Sequence, residues 1–216
     1  MRNGKLSQAV VLALITLSVR SANAQTPILS FVEATGSSGT NQAQNVGWRF
    51  NILAPITVTG LGWYDQNRDG LSNSHTVGIW NSSGTLLTSV LVDAGTTDPL
   101  VGEFRTHSVA PITLSAGTGY IVGGENFANS TDRLSFNVTQ TLNSNITYDH
   151  ATFSNLGTGL VIPTLNSAAI TGFYGPSFSI SASGVPEPSS LAFLATSVMV
   201  GGGFLLRRRR SVRRAD

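Results

Sequence analysis

The chain has 216 residues, no cysteine, 23 glycines, 8 prolines and only 11% charged residues, with a formal net charge of +2. No disulfide framework is available, so any folded domain must rest on packed apolar surface. The positive balance is an effect of the chain ends. Between Gln25 and Gly184 four arginines (Arg49, Arg68, Arg105 and Arg133) face nine acids, a formal charge of −5 that argues against nucleic acid as a partner.

In chain order, Arg2 and Lys5 precede an apolar run over residues 9–19, and Ala22-Asn23-Ala24 supplies small residues for cleavage. This is the layout of a secretory signal peptide over residues 1–24, which predicts export by the Sec machinery and a mature chain starting near Gln25. The next 160 residues, 25–184, suit one domain with a core of its own. Apolar residues there recur in short runs without helical period. The spacing predicts strands over 46–51, 56–64, 75–80, 86–92, 104–109, 120–124, 134–138, 146–148, 171–174 and 177–182. Turn formers separate them: Asp69-Gly70, Asn81-Ser82-Ser83-Gly84, Asp98-Pro99 and Ala116-Gly117-Thr118-Gly119. Residues 79–87 read as a hairpin.

Such a strand set predicts an all-β fold, a single antiparallel β-sandwich or jelly-roll-like domain, with an up-and-down barrel as the other closure. One internal echo is visible, RFNILAPIT at 49–57 and RTHSVAPIT at 105–113. It places Pro55 and Pro111 as strand starts, where a missing N–H matters little.

Asp65-Gln66-Asn67-Arg68-Asp69-Gly70 fits the first half of a calcium loop, D-x-[DN]-x-[DN]-G, with Asp65, Asn67 and Asp69 as the alternating ligands. The bidentate glutamate of such a loop is replaced by Thr76, so calcium competes with a plain polar turn between strands. His75, His107 and His150 show no metal-ligand spacing, and neither a nucleophile elbow nor a zinc-protease helix motif occurs. No catalytic residue and no cofactor other than calcium is therefore nominated. Trp48, Trp63 and Trp80 lie within apolar strands and read as core. Tyr64, on the opposite strand face from Trp63, reads as the exposed aromatic for ligand contact.

The C-terminal part carries an address of its own. Residues 189–206 lack any charge, and as a helix they would span about 27 Å, close to hydrocarbon thickness. Arg207, Arg208, Arg209 and Arg210 follow, with Arg213 and Arg214 beyond, an arrangement that holds the end on the cytoplasmic side and the domain outside. Pro186-Glu187-Pro188 stands just before the span, within the motif 185–190. Motif, transmembrane helix (189–206) and arginine-rich tail (207–216) together resemble the PEP-CTERM sorting signal over 185–216. That resemblance implies recognition and cutting by an exosortase-type membrane protease, with transient anchoring in the inner membrane of a Gram-negative bacterium that makes exopolysaccharide. Gly201-Gly202-Gly203 would weaken the helix, consistent with a temporary anchor. Residues 47–124 also look like a β-domain of unknown function that recurs in PEP-CTERM proteins, through GWRF, PITVTGLGWYD, SHTVGIW and PITLSAGTGYIVGG.

The expectation is an exported cell-surface or matrix protein without catalysis, whose β-domain binds or scaffolds exopolysaccharide. A secreted hydrolase acting on polysaccharide or peptide is the alternative. It would require two carboxylates, or His75 or His107 with an acid and a serine, within reach of one another. A structural matrix component without a specific ligand is the third reading.

Overall fold

Short apolar runs interrupted by Gly, Asn, Asp and Pro give thirteen β-strands and no helix among the described residues. The computed structural model describes residues 24–32, 42–155, 157 and 159–182. The expected signal peptide up to Asn23, the Pro-Glu-Pro motif, the span 189–206 and the arginine tail lie outside the described residues. No helix among those residues is long and apolar enough to cross a membrane.

In order the strands are β1 (Gln25–Pro27), β2 (Leu29–Val32), β3 (Gln44–Ile52), β4 (Ile56–Tyr64), β5 (His75–Trp80), β6 (Leu86–Val92) and β7 (Leu100–Val101). They continue with β8 (Phe104–Leu114), β9 (Gly117–Asn126), β10 (Thr139–Leu142), β11 (Ile146–Ser154), β12 (Leu165–Ser167) and β13 (Pro176–Ser181). One sheet runs β1-β13-β4-β8-β7 and the other β12-β11-β3-β9-β5-β6, while β2 pairs with β10. Every pairing is antiparallel.

Aromatic side chains join the two large sheets into a sandwich. Trp48 of β3 lies nearly parallel to Phe178 of β13, with ring centroids 6.0 Å apart, and Phe50 approaches the same ring at 5.1 Å. Trp48 also donates its indole N–H to the Pro176 carbonyl at 3.1 Å, so its one polar atom is satisfied across the layers. Trp48, Trp63 and Trp80 are all buried, as their strand positions predict.

The predicted ranges 56–64, 75–80 and 86–92 are observed to the residue as β4, β5 and β6. The hairpin between β5 and β6 is held by Asn81. Its Oδ1 accepts from Ser83 N (3.1 Å), Ser83 Oγ (2.7 Å) and Thr85 N (2.9 Å), while Gly84 takes φ 81°. Two predicted strands, 134–138 and 171–174, are absent; the segments meet through one bridge, Ser135↔Tyr174, and through hydrogen bonds between Asn137 and Thr171. Asn137 (φ 55°) and Gly172 (φ 75°) sit in left-handed backbone, which breaks an extended run. Pro55 precedes β4 as expected. Pro111 instead lies inside β8, where the register jumps from Ser108 opposite Gly60 to Ile112 opposite Val58. A bulge tolerates the missing N–H as well as a strand start does. The two echoing segments touch at a single pair, Thr57 facing Thr113, because residues 49–52 belong to β3 in the other sheet.

On the outer face of the six-stranded sheet, Gly47, Gly123 and Gly78 are cross-strand neighbours. The segment carrying Leu160 and Pro163 lies against this row. A Cβ on Gly123 would come within 2.7 Å of the Pro163 ring, and one on Gly78 within 3.0 Å of Leu160. Gly123→Ala is therefore expected to destabilise the fold by about 1–3 kcal/mol, read as a lower urea midpoint at unchanged slope.

Candidate functional site

At one end of the sandwich, three connections converge: residues 65–72 after β4, 93–98 after β6 and 127–133 after β9. Arg105 organises the first two. It faces Trp63 across the β4–β8 pair, and its side chain is buried. Its Nε donates to Asp65 Oδ2 at 2.7 Å, Nη2 to the Arg68 carbonyl at 2.9 Å and Nη1 to the Asp98 carbonyl at 3.3 Å. Gly70 N adds a second hydrogen bond to Asp65 Oδ2 at 3.0 Å. Arg68 (φ 60°) and Gly70 (φ 109°) supply the left-handed turns that fold this loop back over the guanidinium. A buried guanidinium needs a carboxylate and further acceptors around it, and this one has both.

The second loop is tied to the first by paired backbone hydrogen bonds, Leu71 N to Gly95 O (3.2 Å) and Gly95 N to Leu71 O (2.7 Å). Within it, Asp98 accepts from Asp93 N at 2.8 Å and contacts His107 Nδ1 at 2.8 Å. Asp93, Asp98 and His107 bring one ligand-type atom each within 4.8 Å of one another. This grouping escaped the sequence reading because His107 reaches Asp98 only through the turn that pairs β7 with β8.

The third connection closes on His75, which has no exposed surface. Its ring stacks on Trp63 with centroids 3.9 Å apart and planes 5° from parallel. Nδ1 lies 2.8 Å from the Glu125 carbonyl and Nε2 lies 2.9 Å from Asp132 Oδ2. Asp132 also accepts from Ser72 N (2.7 Å) and Asn73 N (2.9 Å). Burial pushes the Asp132 carboxyl upward, but the hydrogen bonds from His75, Ser72 and Asn73 outweigh it and hold the group at about 2. Both ring nitrogens of His75 thus face oxygen atoms, the Glu125 carbonyl on one side and the Asp132 carboxylate on the other.

Between these clamps lies a recess of about 330 Å³. Its lining includes Gln66, Asn67 and Asp69 from the first loop, with Thr131 and Arg133 from the third. Asn67 and Asp69 are exposed at its rim.

Of the sequence candidates, Asp65, Asn67 and Asp69 do share this loop, but Asp65 is 3% exposed and turned inward. Arg105 supplies beside Asp65 the positive charge that the sequence reading gave to calcium. Tyr64 needs correction. It borders the recess but is only 2% exposed, because Phe31 of β2 covers it at 5.1 Å and Phe104 flanks it at 6.0 Å. β2 was not among the predicted strands, so the cover over Tyr64 could not be foreseen. Pro186, Glu187, Pro188 and Arg207 to Arg210 lie outside the described residues.

The hydrolase geometry can be compared directly. Ser130 Oγ donates to Asn73 Oδ1 (3.0 Å) and Asp132 Oδ2 (3.3 Å) rather than to His75. His107 and His150 each contact an aspartate, Asp98 and Asp149 respectively.

Fold and site together define an antiparallel β-sandwich with one end closed by a buried ion pair and a buried His–Asp contact around a polar recess. The chain belongs to the family described as a domain of unknown function, DUF4082, whose model matches residues 31–172. That match runs from Phe31 of β2 to Gly172, and so takes in all three connections of the site. No curated protein and no solved structure matches the chain.

Two outcomes follow from the clamps. Arg105→Met should cost about 3–5 kcal/mol by leaving Asp65 buried without its partner, and adding Asp65→Asn should restore part of the thermal midpoint. Because the folded-state value of Asp132 is depressed, its contribution is complete above pH 3.8 and is lost as pH falls toward about 2. Asp132→Asn should therefore flatten the acid limb of the stability–pH curve over that window.

Proposed function

We propose that this is an exported, non-catalytic surface or matrix protein that binds exopolysaccharide at the recess beside the 65–72 loop. The observation that carries the reading is the chemistry of that recess. Exposed Asn67 and Asp69 at its rim, with Thr131 and Arg133 opposite, offer amide, carboxylate, hydroxyl and guanidinium groups to a sugar's hydroxyls. The buried pairs Arg105–Asp65 and His75–Asp132 hold the surrounding loops in place, so little ordering is required on binding. Any calcium in this reading enters at the rim through Asn67 and Asp69, since Asp65 is engaged by Arg105.

The wiring supports the same reading by analogy of fold alone. The order β1-β13-β4-β8 facing β3-β9-β5-β6 matches an eight-stranded jelly roll, an architecture common among lectin domains, with β11 and β12 added beyond β3. The delivery half of the proposal rests on the chain ends: a secretory leader before Gln25, and a PEP-CTERM-like tail cut by an exosortase-type protease.

The test is retention of the purified protein on immobilised exopolysaccharide from the producing bacterium, with calcium and with a chelator. Asn67→Ala with Asp69→Ala should weaken retention by about tenfold or more, equivalent to about 1.4 kcal/mol, while Leu53→Ser should not change it. Failure of the wild type to be retained in either condition would sink the binding reading. Appearance of new reducing ends in the same incubation would favour the hydrolase instead.

A further inference from the structure

A sheet edge presents unpaired N–H and C=O groups, and folded proteins blunt such edges with short strands, prolines, charges or bulges. Three of the four edges of the two large sheets follow that rule. β7 has two residues and follows Pro99, β1 has three and ends at Pro27, and β12 has three and begins just after Pro163 and Thr164. The fourth edge, β6, does not.

β6 has seven residues, Leu86–Val92, with no charge, proline or glycine. Among the described residues it pairs only with β5, so alternate residues turn their backbone polar groups away from the sheet. Thr88, Val90 and Val92 stand opposite Ile79, Val77 and His75 on the core side. Leu87, Ser89 and Leu91 lie on the outer side and are exposed. Leu86, Leu87 and Leu91 are 45%, 37% and 49% exposed, and they make up half of the large exposed apolar side chains among the described residues.

We propose that β6 is a self-association surface, through which two copies of this chain pair antiparallel about a two-fold axis at Ser89. The strand itself argues for a second copy as the occupant. Leu86-Leu87-Thr88-Ser89-Val90-Leu91-Val92 has nearly the same character read in either direction. Pairing about Ser89 sets Leu87 against Leu91 twice on the outer face, Thr88 against Val90 on the inner face, and Ser89 against itself. Such self-complementarity is what an isologous interface requires, because each contact must occur twice. Charge is compatible as well. The acid that follows the strand, Asp93, comes opposite the uncharged Thr85 of the second copy, and the two Asp93 side chains sit at opposite ends of the paired strands. The joined sheets would form one continuous sheet with the two recesses carried on separate subunits.

The chain has no cysteine, so Ser89→Cys in the full-length protein introduces its only thiol. Directly opposed residues of an antiparallel pair have Cα atoms about 4.5–5.5 Å apart, within disulfide reach. Under mild oxidation this variant should form disulfide-linked dimers about tenfold faster, or more, than Leu53→Cys, a thiol at an exposed position away from β6. In sedimentation equilibrium, Ser89→Lys should raise the dimer dissociation constant by about tenfold or more, equivalent to about 1.4 kcal/mol, with thermal unfolding of the monomer unchanged. Equal cross-linking at positions 89 and 53, a wild type that stays monomeric at every concentration, or a Ser89→Lys variant that dimerises as well as wild type would each overturn the proposal. No glycan is present in these experiments, so their outcome is independent of binding at the recess.

Discussion

The arrangement of loops at the recess end of the sandwich depends on one buried guanidinium. Arg105 sits on β8, next to the edge of its sheet, and its three donor groups reach Asp65, the Arg68 carbonyl and the Asp98 carbonyl, on two different loops. Planar fork geometry lets one side chain fix several acceptors at once, which a lysine at this position could not do. With that anchor in place, Leu71 and Gly95 can exchange backbone hydrogen bonds, and Asp98 can be presented to His107. The recess is the space left over between loops whose positions are decided by this contact.

A second buried pair does comparable work from the opposite side. His75 lies flat on Trp63, and Asp132 fastens the turn at Ser72 and Asn73 to the connection after β9. Asp65, Asp98 and Asp132 are thereby buried inside the structure, each held by side-chain or backbone partners. Asp69, by contrast, remains exposed at the rim of the recess. Polar satisfaction rather than disulfides holds the loops, in keeping with a chain that has no cysteine.

How far the sequence could be read depended on the range of the interactions involved. The boundaries of β4, β5 and β6 were legible because their apolar runs end on strong turn residues, Asp65 to Gly70 and Asn81 to Gly84. Short pairings such as β2 with β10 carry too few residues to show a period, and with them went the cover over Tyr64. The 65–70 segment stands out in the sequence through its Asp, Asn and Gly spacing. Its internal cation was hidden because Arg105 is 40 residues away in sequence. The partners of His75 are beyond any local pattern, since Glu125 and Asp132 lie 50 and 57 residues further on.

The strand order also bears on when the domain can form. β13 is the last of the described strands but an interior one in its sheet, lying between β1 and β4. Gln25 at the start of β1 pairs with Ser181 at its end, so opposite ends of the domain become neighbours. Until residues 176–181 have emerged from whatever machine delivers the chain, β1 has no partner and β4 has one side bare. Such a non-local closure makes folding slow and late relative to chain delivery. The same wiring that makes the finished sandwich continuous thus keeps the chain open until β13 is available.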